Sequence, residues 1–182
     1  TTVEDTTTAD ESGTQGEEEL EFVDYASTVK FDPNSGRASA SVTVRTFVDG
    51  DTTHFNIEHP TFDGGILKAR YLGINTPEST GQIEPWGKKA STYTKETLSK
   101  ATSIIVESDT NQWNPDSTGE RFLVWVWYKT ADMEDYRCLN LEILQQGLAV
   151  SSKSSDTVYA DVCVSILNQA VNHKLHVHSK EK

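Results

Sequence analysis

Two acidic residues with a single residue between them stand at a predicted turn. The segment Asp49-Gly50-Asp51-Thr52 separates two predicted strands. Two carboxylates spaced in this way at a strand end suit a hard cation such as Ca²⁺, which prefers oxygen ligands. An Asp-Gly pair is also common in ordinary hairpin turns, and the tetrapeptide on its own favours the turn.

A second polar cluster begins inside a predicted strand. Arg70 has largely apolar neighbours, and a charge in that setting needs either a partner or a function. The amide of Asn75 and the carbonyl of Thr76 can both donate oxygen to a metal, while Pro77 holds the residue before it extended. Glu78 comes next and can accept a proton from water. A structural salt bridge to a nearby acid would explain Arg70 equally well.

A third cluster, Gly119-Glu120-Arg121, comes directly before the most apolar stretch of the chain. A guanidinium at the mouth of a barrel strand can bind a phosphate through two parallel hydrogen bonds, and the alternative is a solvated arginine at a strand start. Together, the three clusters supply two arginines, several carboxylates and an Asn–Thr pair of oxygen donors. These are the components of metal-assisted phosphodiester hydrolysis, in which positive charges stabilise the transition state and a carboxylate activates or positions water.

Short strands and three helices must position these clusters. The hydrophobic pattern predicts strands at residues 20–23, 25–31, 38–48, 53–57, 66–74, 103–107 and 122–128, of which the last is continuously apolar and so the most buried. Helices are predicted from Pro85 to about Ala101, from Asn140 as N-cap to Gly147, and from near Asp156 onward. This order indicates an α+β domain that contains a small β-barrel.

The net charge of −12 at first argues against a nucleic-acid partner. Nine of the 28 acidic residues precede Lys30 with no Lys or Arg among them, so the rest of the chain carries 19 acids against 16 bases. A nucleic-acid substrate therefore stays possible for the body of the chain. No apolar run approaches the ~18 residues that a membrane-spanning helix needs, which excludes an integral membrane protein.

The first part of the chain is compositionally distinct. Residues 1–18 are rich in Thr, Glu, Asp and Gly, so we predict a disordered acidic linker there and a folded domain over residues 19–182. The chain begins at Thr1 without a methionine. This favours a mature terminus left after removal of a signal peptide, although an arbitrary boundary would look the same.

Five sequence strings carry a family resemblance. They are FVDGDT, KARYLGINTPES, WGKKASTYTKETL, STGERFLVWVWY and LNLEILQQGLA, in that order. Over residues 42–177 the chain resembles the staphylococcal nuclease (thermonuclease) family. The resemblance implies a five-stranded OB-fold barrel with three α-helices, to which this chain adds an N-terminal strand or hairpin. It also implies a calcium-dependent phosphodiesterase that cleaves single-stranded DNA and RNA with little base specificity and leaves 3′-phosphates.

The same resemblance assigns roles to individual residues. It implies Asp51, Asn75 and Thr76 as Ca²⁺ ligands, and it implies Arg70, Glu78 and Arg121 as catalytic residues. Asn75 stands where the family has an aspartate, so one ligand loses its charge. Tyrosines that pack on the bound nucleotide in the type member are absent, because the sequence there reads Val-Ser-Ser-Lys at positions 150–153.

The expected partners follow from these assignments. The substrates are DNA and RNA, with single strands preferred, and we expect a monomeric, bacterial protein that is secreted or tethered to the cell surface. The alternative is a catalytically inactive module of the same fold that binds nucleic acid or protein. Because Arg70, Glu78 and Arg121 are all present, the enzyme is the favoured interpretation.

Three further features have competing explanations. Cys138 and Cys163 are predicted to lie in the same half of the molecule, where a disulfide and two buried thiols are equally compatible with the sequence. His173, His176 and His178 are spaced as metal ligands could be, but we interpret them as part of a frayed C-terminal end. Trp113 lies in a predicted loop and is the candidate for stacking on a base.

Overall fold

A five-stranded barrel forms the centre of the computed structural model, which describes residues 20–180. Its strands are β1 (Ser39–Asp49), β2 (Thr52–Ile57), β3 (Ile66–Tyr71), β5 (Ser103–Glu107) and β6 (Phe122–Lys129). Strand β1 pairs with β2 and β5, β2 pairs with β3, and β5 pairs with β6, all antiparallel. A parallel pairing of β3 with β6 closes the barrel and confirms the predicted OB-fold.

Three short strands and three α-helices surround the barrel. Strand β4 (Gly73–Asn75) pairs with β8 (Val150–Ser152) in a separate two-stranded sheet, and β7 (Arg137–Cys138) pairs with the end of β6. The helices are α1 (Gly87–Ser99), α2 (Leu139–Gln145) and α3 (Ala160–Asn172), with 3₁₀ turns at Tyr25–Thr28, Asp63–Gly65 and His176–His178. None of the helices in the described part of the chain is long and apolar enough to cross a membrane.

The core lies inside the barrel and between it and α2. Residues Val124, Trp125, Val126 and Trp127 of β6 are fully buried, as the continuous apolar run predicted. Every residue of α2 is buried, so this short helix derives its stability from packing on the barrel rather than from its length. Asn140, predicted as the N-cap, lies in the first turn of α2, two residues beyond the actual N-cap, Cys138. Its buried amide accepts a hydrogen bond from the Val126 N–H and donates to the Leu72 and Val124 carbonyls, so it joins α2 to the sheet.

The N-terminal prediction of extended strands is wrong within the described residues. The segment forms a 3₁₀ turn instead of a strand or hairpin, and the sheet begins at β1. Its backbone polar groups bond to side chains rather than to a strand. The N–H of Val23 donates to Gln169 on α3, and the N–H of Ala26 donates to Gln145 on α2. The predicted disordered linker at residues 1–18 lies outside the described residues.

Both cysteines are buried free thiols in the structure, which selects the second of the two sequence alternatives. Burial raises the pKa of the Cys138 thiol and raises the pKa of the Cys163 thiol to about 11, so neither is a reactive thiolate at neutral pH.

The C-terminal histidines are not a frayed end. His176 bonds through Nδ1 to the Gln146 carbonyl at 2.6 Å, and the N–H of Val177 donates to the Gly147 carbonyl at 3.0 Å. Gly147 has a φ of +70°, and a Cβ there would come within 2.5 Å of the Leu175 side chain. The C-terminal segment therefore packs directly on the end of α2, and a glycine is required at the contact.

Glu107 gives a test of the barrel's electrostatics. Its side chain is 1% exposed, and its Oε1 accepts a hydrogen bond from Trp127 Nε1 at 3.3 Å. The same oxygen forms an ion pair with Arg37, whose Nε lies 3.5 Å away. Burial raises the pKa of this carboxyl above its ordinary value. A raised folded-state pKa means that the carboxyl favours folding at low pH and loses that contribution as the pH rises through the raised value.

We therefore expect Glu107→Gln to change the pH dependence of stability. The free energy of unfolding of the wild type should fall relative to that of the variant as the pH rises from about 4 to about 7. Urea titrations across this range measure the difference. Glu96→Gln on the exposed side of α1 is the matched control, and an equal slope for the two variants would contradict the account.

Candidate active site

The barrel's hydrogen-bond register brings the first two polar clusters together. Thr52 of β2 pairs with Arg70 of β3, so Asp51 at the start of β2 lies beside the arginine. The N–H of Tyr71 donates to the Asp51 carbonyl at 2.9 Å and fixes this alignment. Strand β4 follows β3 almost directly and ends at Asn75, which returns the chain to the same place.

Arg70 is the centre of the resulting cluster. Its Nη1 lies 2.6 Å from Asp51 Oδ2, and its Nη2 donates to Asn75 Oδ1 at 2.9 Å. The N–H of Thr76 donates to the same Asp51 oxygen at 2.9 Å. The side chains of Arg70 and Asp51 are 16% and 8% exposed, so this is a nearly buried ion pair that still reaches the surface. The structure thus contains the salt bridge that the sequence offered as one explanation of Arg70.

Helix α1 packs against the backbone that carries the cluster. A Cβ on Gly50 would come within 2.9 Å of Thr76 Oγ1 and 3.0 Å of Ala90 Cβ, and the Thr94 hydroxyl donates to the Gly50 carbonyl at 2.6 Å. A Cβ on Gly87 would lie 2.0 Å from the Glu78 carbonyl oxygen. Both glycines therefore permit close approaches that a side chain would block. These approaches set where the turn at Gly50 meets the segment that carries Thr76 and Glu78.

Glu78 lies at the exposed side of the cluster, near two other acids. Its N–H donates to Glu84 Oε2 at 2.9 Å. Asp49, to which the family resemblance gave no role, accepts from the Ser79 hydroxyl at 2.6 Å and from the Gly50 N–H. Partial burial, followed by the negative charge of Asp49, raises the pKa of Glu78 above its ordinary value. A carboxylate with a raised pKa is a better proton acceptor near neutral pH than an ordinary glutamate.

Arg121 approaches the cluster from the neighbouring strand. Its Nε donates to Asp116 Oδ2 at 2.7 Å, and its carbonyl accepts from the Asp116 N–H. The Asp116 side chain is only 7% exposed, and burial on its own would raise its pKa, but hydrogen bonds from Thr118 and the hydrogen bond and charge of Arg121 together lower it below its ordinary value. Because Arg70 pairs with Leu123 in the β3–β6 register, Arg121 stands two residues from Arg70's partner.

The two arginines line a single open cavity of about 510 Å³. Its wall also includes Asp116 and Lys153, neither of which the sequence predicted as functional. Asp116 lies within a polar turn that precedes Arg121 by five residues, and no motif marks it. Lys153 belongs to the Val-Ser-Ser-Lys segment that stands where the family has tyrosines. In the structure it adds a positive charge to the cavity that holds Arg70 and Arg121.

Trp113, the candidate for stacking on a base, lies apart from the cavity that holds the arginines. Its ring packs edge-on against Phe62 at a centroid distance of 5.2 Å and against His59 at 5.7 Å. It therefore covers one end of the core, and its residue is not part of the cavity wall.

The predicted Ca²⁺ ligands fit a hard cation in donor type. Asp51, Asn75 and Thr76 offer a carboxylate, an amide oxygen and a backbone carbonyl, all oxygens. Asp51 supplies the single negative charge of this set, and Arg70 already neutralises it. Among residues 20–180, no group of three or more His, Cys, Asp or Glu side chains is arranged to hold a metal. The set therefore has the right chemistry but too little charge for tight binding.

Comparison with protein families shows to which family the chain belongs. The model of the family described as staphylococcal nuclease homologue matches residues 68–178, well over half of the chain. The chain belongs to the staphylococcal nuclease family. The matched span contains Arg70, Asn75, Thr76, Glu78 and Arg121, whereas Asp51 precedes it. No curated protein matches the chain. The described domain is thus a nuclease-like module of this family, built on its OB-fold barrel.

Asn75 gives the direct test of the predicted ligand set. Asn75→Asp should raise the affinity for Ca²⁺ by roughly tenfold, because ligand charge count sets the affinity of oxygen sites. The measurement is the calcium-induced rise in Tm, since a ligand that binds only the folded state stabilises it. Asn172→Asp, exposed at the end of α3, adds the same charge elsewhere. A calcium response of Asn75→Asp no larger than that of this control would show that position 75 is not a ligand.

Proposed function

We propose that this protein is a calcium-dependent nuclease that hydrolyses phosphodiester bonds in single-stranded DNA and RNA. The observation that carries the proposal is the convergence of Arg70 and Arg121 on one open cavity. A phosphodiester is an anion that becomes more negative toward its transition state, and preorganised guanidinium groups stabilise that charge. Membership of the family supports the same conclusion.

Both arginines are held in position while keeping donors for a phosphate. Asp116 engages only the Nε of Arg121, so its two terminal nitrogens remain for a ligand in the cavity. Asp51 and Asn75 each engage one terminal nitrogen of Arg70 and so fix the plane of its guanidinium. An arginine oriented in this way needs no reorganisation when the phosphate arrives.

Glu78 is proposed as the group that accepts a proton from the attacking water. It stands next to Asp49 and Asp51, whose charges raise its pKa after the larger effect of partial burial. Its backbone is fixed by Glu84 on one side and by Gly87 of α1 on the other. The backbone that carries this carboxylate is therefore fixed next to Thr76 and the Arg70 cluster.

Ca²⁺, when bound by Asp51, Asn75 and the Thr76 carbonyl, adds positive charge that offsets the growing charge on the phosphate oxygens. With one carboxylate in the set, we expect the calcium requirement near the ~10⁻⁴–10⁻³ M typical of extracellular sites. Such a range is available to a protein outside the cell, and we propose that this protein is exported. Cleavage that leaves 3′-phosphates, with little base specificity, completes the proposal.

Arg70 provides the first test. We expect Arg70→Ala to lower kcat/KM on single-stranded DNA by about 10²–10³-fold, the usual effect of removing a preorganised donor. Arg70→Lys should be nearly as damaging, because one ammonium cannot hold Asp51 and Asn75 while binding a phosphate. Arg45→Lys, exposed on β1, is the matched control. Since Asp51 loses its partner in these variants, circular dichroism and Tm must show that they are folded. Folded Arg70 variants with wild-type kcat/KM would refute the proposed site.

Glu78 separates catalysis from binding. Glu78→Gln should lower kcat by about 10²–10⁴-fold and leave KM nearly unchanged, because it removes a proton acceptor and no phosphate contact. Steady-state kinetics on an oligonucleotide measure both constants. If the wild type binds single strands without cleaving them, the inactive binding module replaces the nuclease as the explanation.

A further inference from the structure

A second cavity has Asn75 in its wall and is not lined by the arginines. It measures about 390 Å³, and its wall is formed mainly by Asn75, Pro77, Pro85, Trp86, Val150 and Val177. Cavities of this size fall within the range that small organic groups occupy. Apart from Asn75, none of these residues has a role in the proposed chemistry.

The walls of this cavity are fixed by backbone pairing. Val150 stands opposite Asn75 in the β4–β8 register, so one wall is part of the same small sheet as the predicted ligand. Val177 is held on the end of α2 by its hydrogen bond to the Gly147 carbonyl. The C-terminal segment, which the sequence suggested was frayed, therefore forms the other wall.

Trp86 gives the cavity its aromatic surface. Its φ of +69° is unusual for a bulky residue, and such strain persists only where the surroundings impose it. The indole meets the His176 ring edge-on at a centroid distance of 5.1 Å, and Lys89 Nζ lies 5.7 Å from its centroid. These contacts hold the half-buried ring at the edge of the cavity and place a cation beside it.

We propose that this second cavity binds a base of the substrate strand, next to the phosphate held by Arg70. The inference rests on the proposed function, and it names where a base goes rather than where the phosphate goes. Asn75 is the structural link, because it lines the cavity and also accepts a hydrogen bond from Arg70 Nη2. A strand whose phosphate is bound by Arg70 thus has an apolar, aromatic recess immediately beside it.

The chemistry of the recess suits a base better than another phosphate. Prolines, valines and an indole offer flat apolar surface, and an aromatic ring can stack on any base irrespective of its hydrogen-bonding edge. Glu84 also lines the recess, and its Oε2 accepts a hydrogen bond from the Glu78 N–H. The recess therefore supplies the base contact for which the family's tyrosines are absent, and it does so with little preference among bases.

Binding without cleavage tests this inference. Fluorescence anisotropy in EDTA would measure the Kd of a short labelled oligothymidylate and of the same sugar–phosphate chain with abasic positions. We expect the wild type to bind the oligothymidylate more tightly. Trp86→Leu should weaken binding of the oligothymidylate by about fivefold or more and leave binding of the abasic chain unchanged, since a stacked base contributes ~1–3 kcal/mol. Trp86→Phe should retain most of the difference.

Trp113→Leu is the matched control. The readout is the ratio of the Kd for the abasic chain to the Kd for the oligothymidylate, because a general loss of stability affects both values equally. An unchanged ratio in a folded Trp86→Leu variant would overturn the inference, as would an equal weakening with Trp113→Leu. If the folded Trp86→Leu variant keeps the wild-type ratio and the wild type cleaves single-stranded DNA, the base site fails and the nuclease proposal stands. If neither oligomer binds the wild type, the base site fails, and digestion of single-stranded DNA in Ca²⁺ decides the nuclease proposal separately.

Discussion

The ion pair between Arg70 and Asp51 is the interaction on which the site depends. It joins the turn between the first two strands to the third strand, and the Asn75 amide extends it to the small sheet beyond the barrel. Removing two charges from water is costly, and the pair is tolerated because each oxygen of Asp51 also accepts a hydrogen bond, from the Thr76 N–H and the Thr52 hydroxyl. The arginine is therefore rigid before any substrate binds.

Replacement of a carboxylate by Asn75 changes the charge balance around this pair. A second aspartate could accept the same hydrogen bond from Arg70 and would add a negative charge for a cation. With an amide in that position, Arg70 bonds to both neighbours while only Asp51 carries a charge. The arrangement orients the guanidinium and leaves Asp51 as the one carboxylate among the three predicted calcium ligands.

Much of the barrel follows from local sequence signals, and the strand at Ser103–Glu107 has the predicted bounds. Alternating and continuously apolar runs report burial directly, so they locate the strands. The N-terminal segment was mispredicted because its partners, Gln145 and Gln169, are more than a hundred residues away. The residue type of Asn140 predicts a helix cap. Its bonds to the Leu72 and Val124 carbonyls could not be predicted, because long-range contacts leave no trace in the local sequence.

The candidate site shows the same division. Residues within recognisable motifs, such as Arg70 and Glu78, could be found from sequence. Asp116 and Lys153 could not, because their proximity to the arginines arises only when β3 pairs with β6 and the loops fold over that edge. Trp86 falls within the helix predicted from Pro85, whereas in the structure it precedes α1, and its left-handed backbone and its contact with His176 place it at a cavity.

Digestion of denatured DNA in millimolar Ca²⁺ and in excess EGTA tests the central claim most directly. If Arg70 and Arg121 act on a phosphodiester with the help of a weakly held cation, the strands are cut in Ca²⁺, cutting rises over the millimolar range, and EGTA abolishes it. Equal cleavage in both conditions would contradict the calcium requirement. Intact DNA in both, from a folded protein, would contradict the nuclease itself.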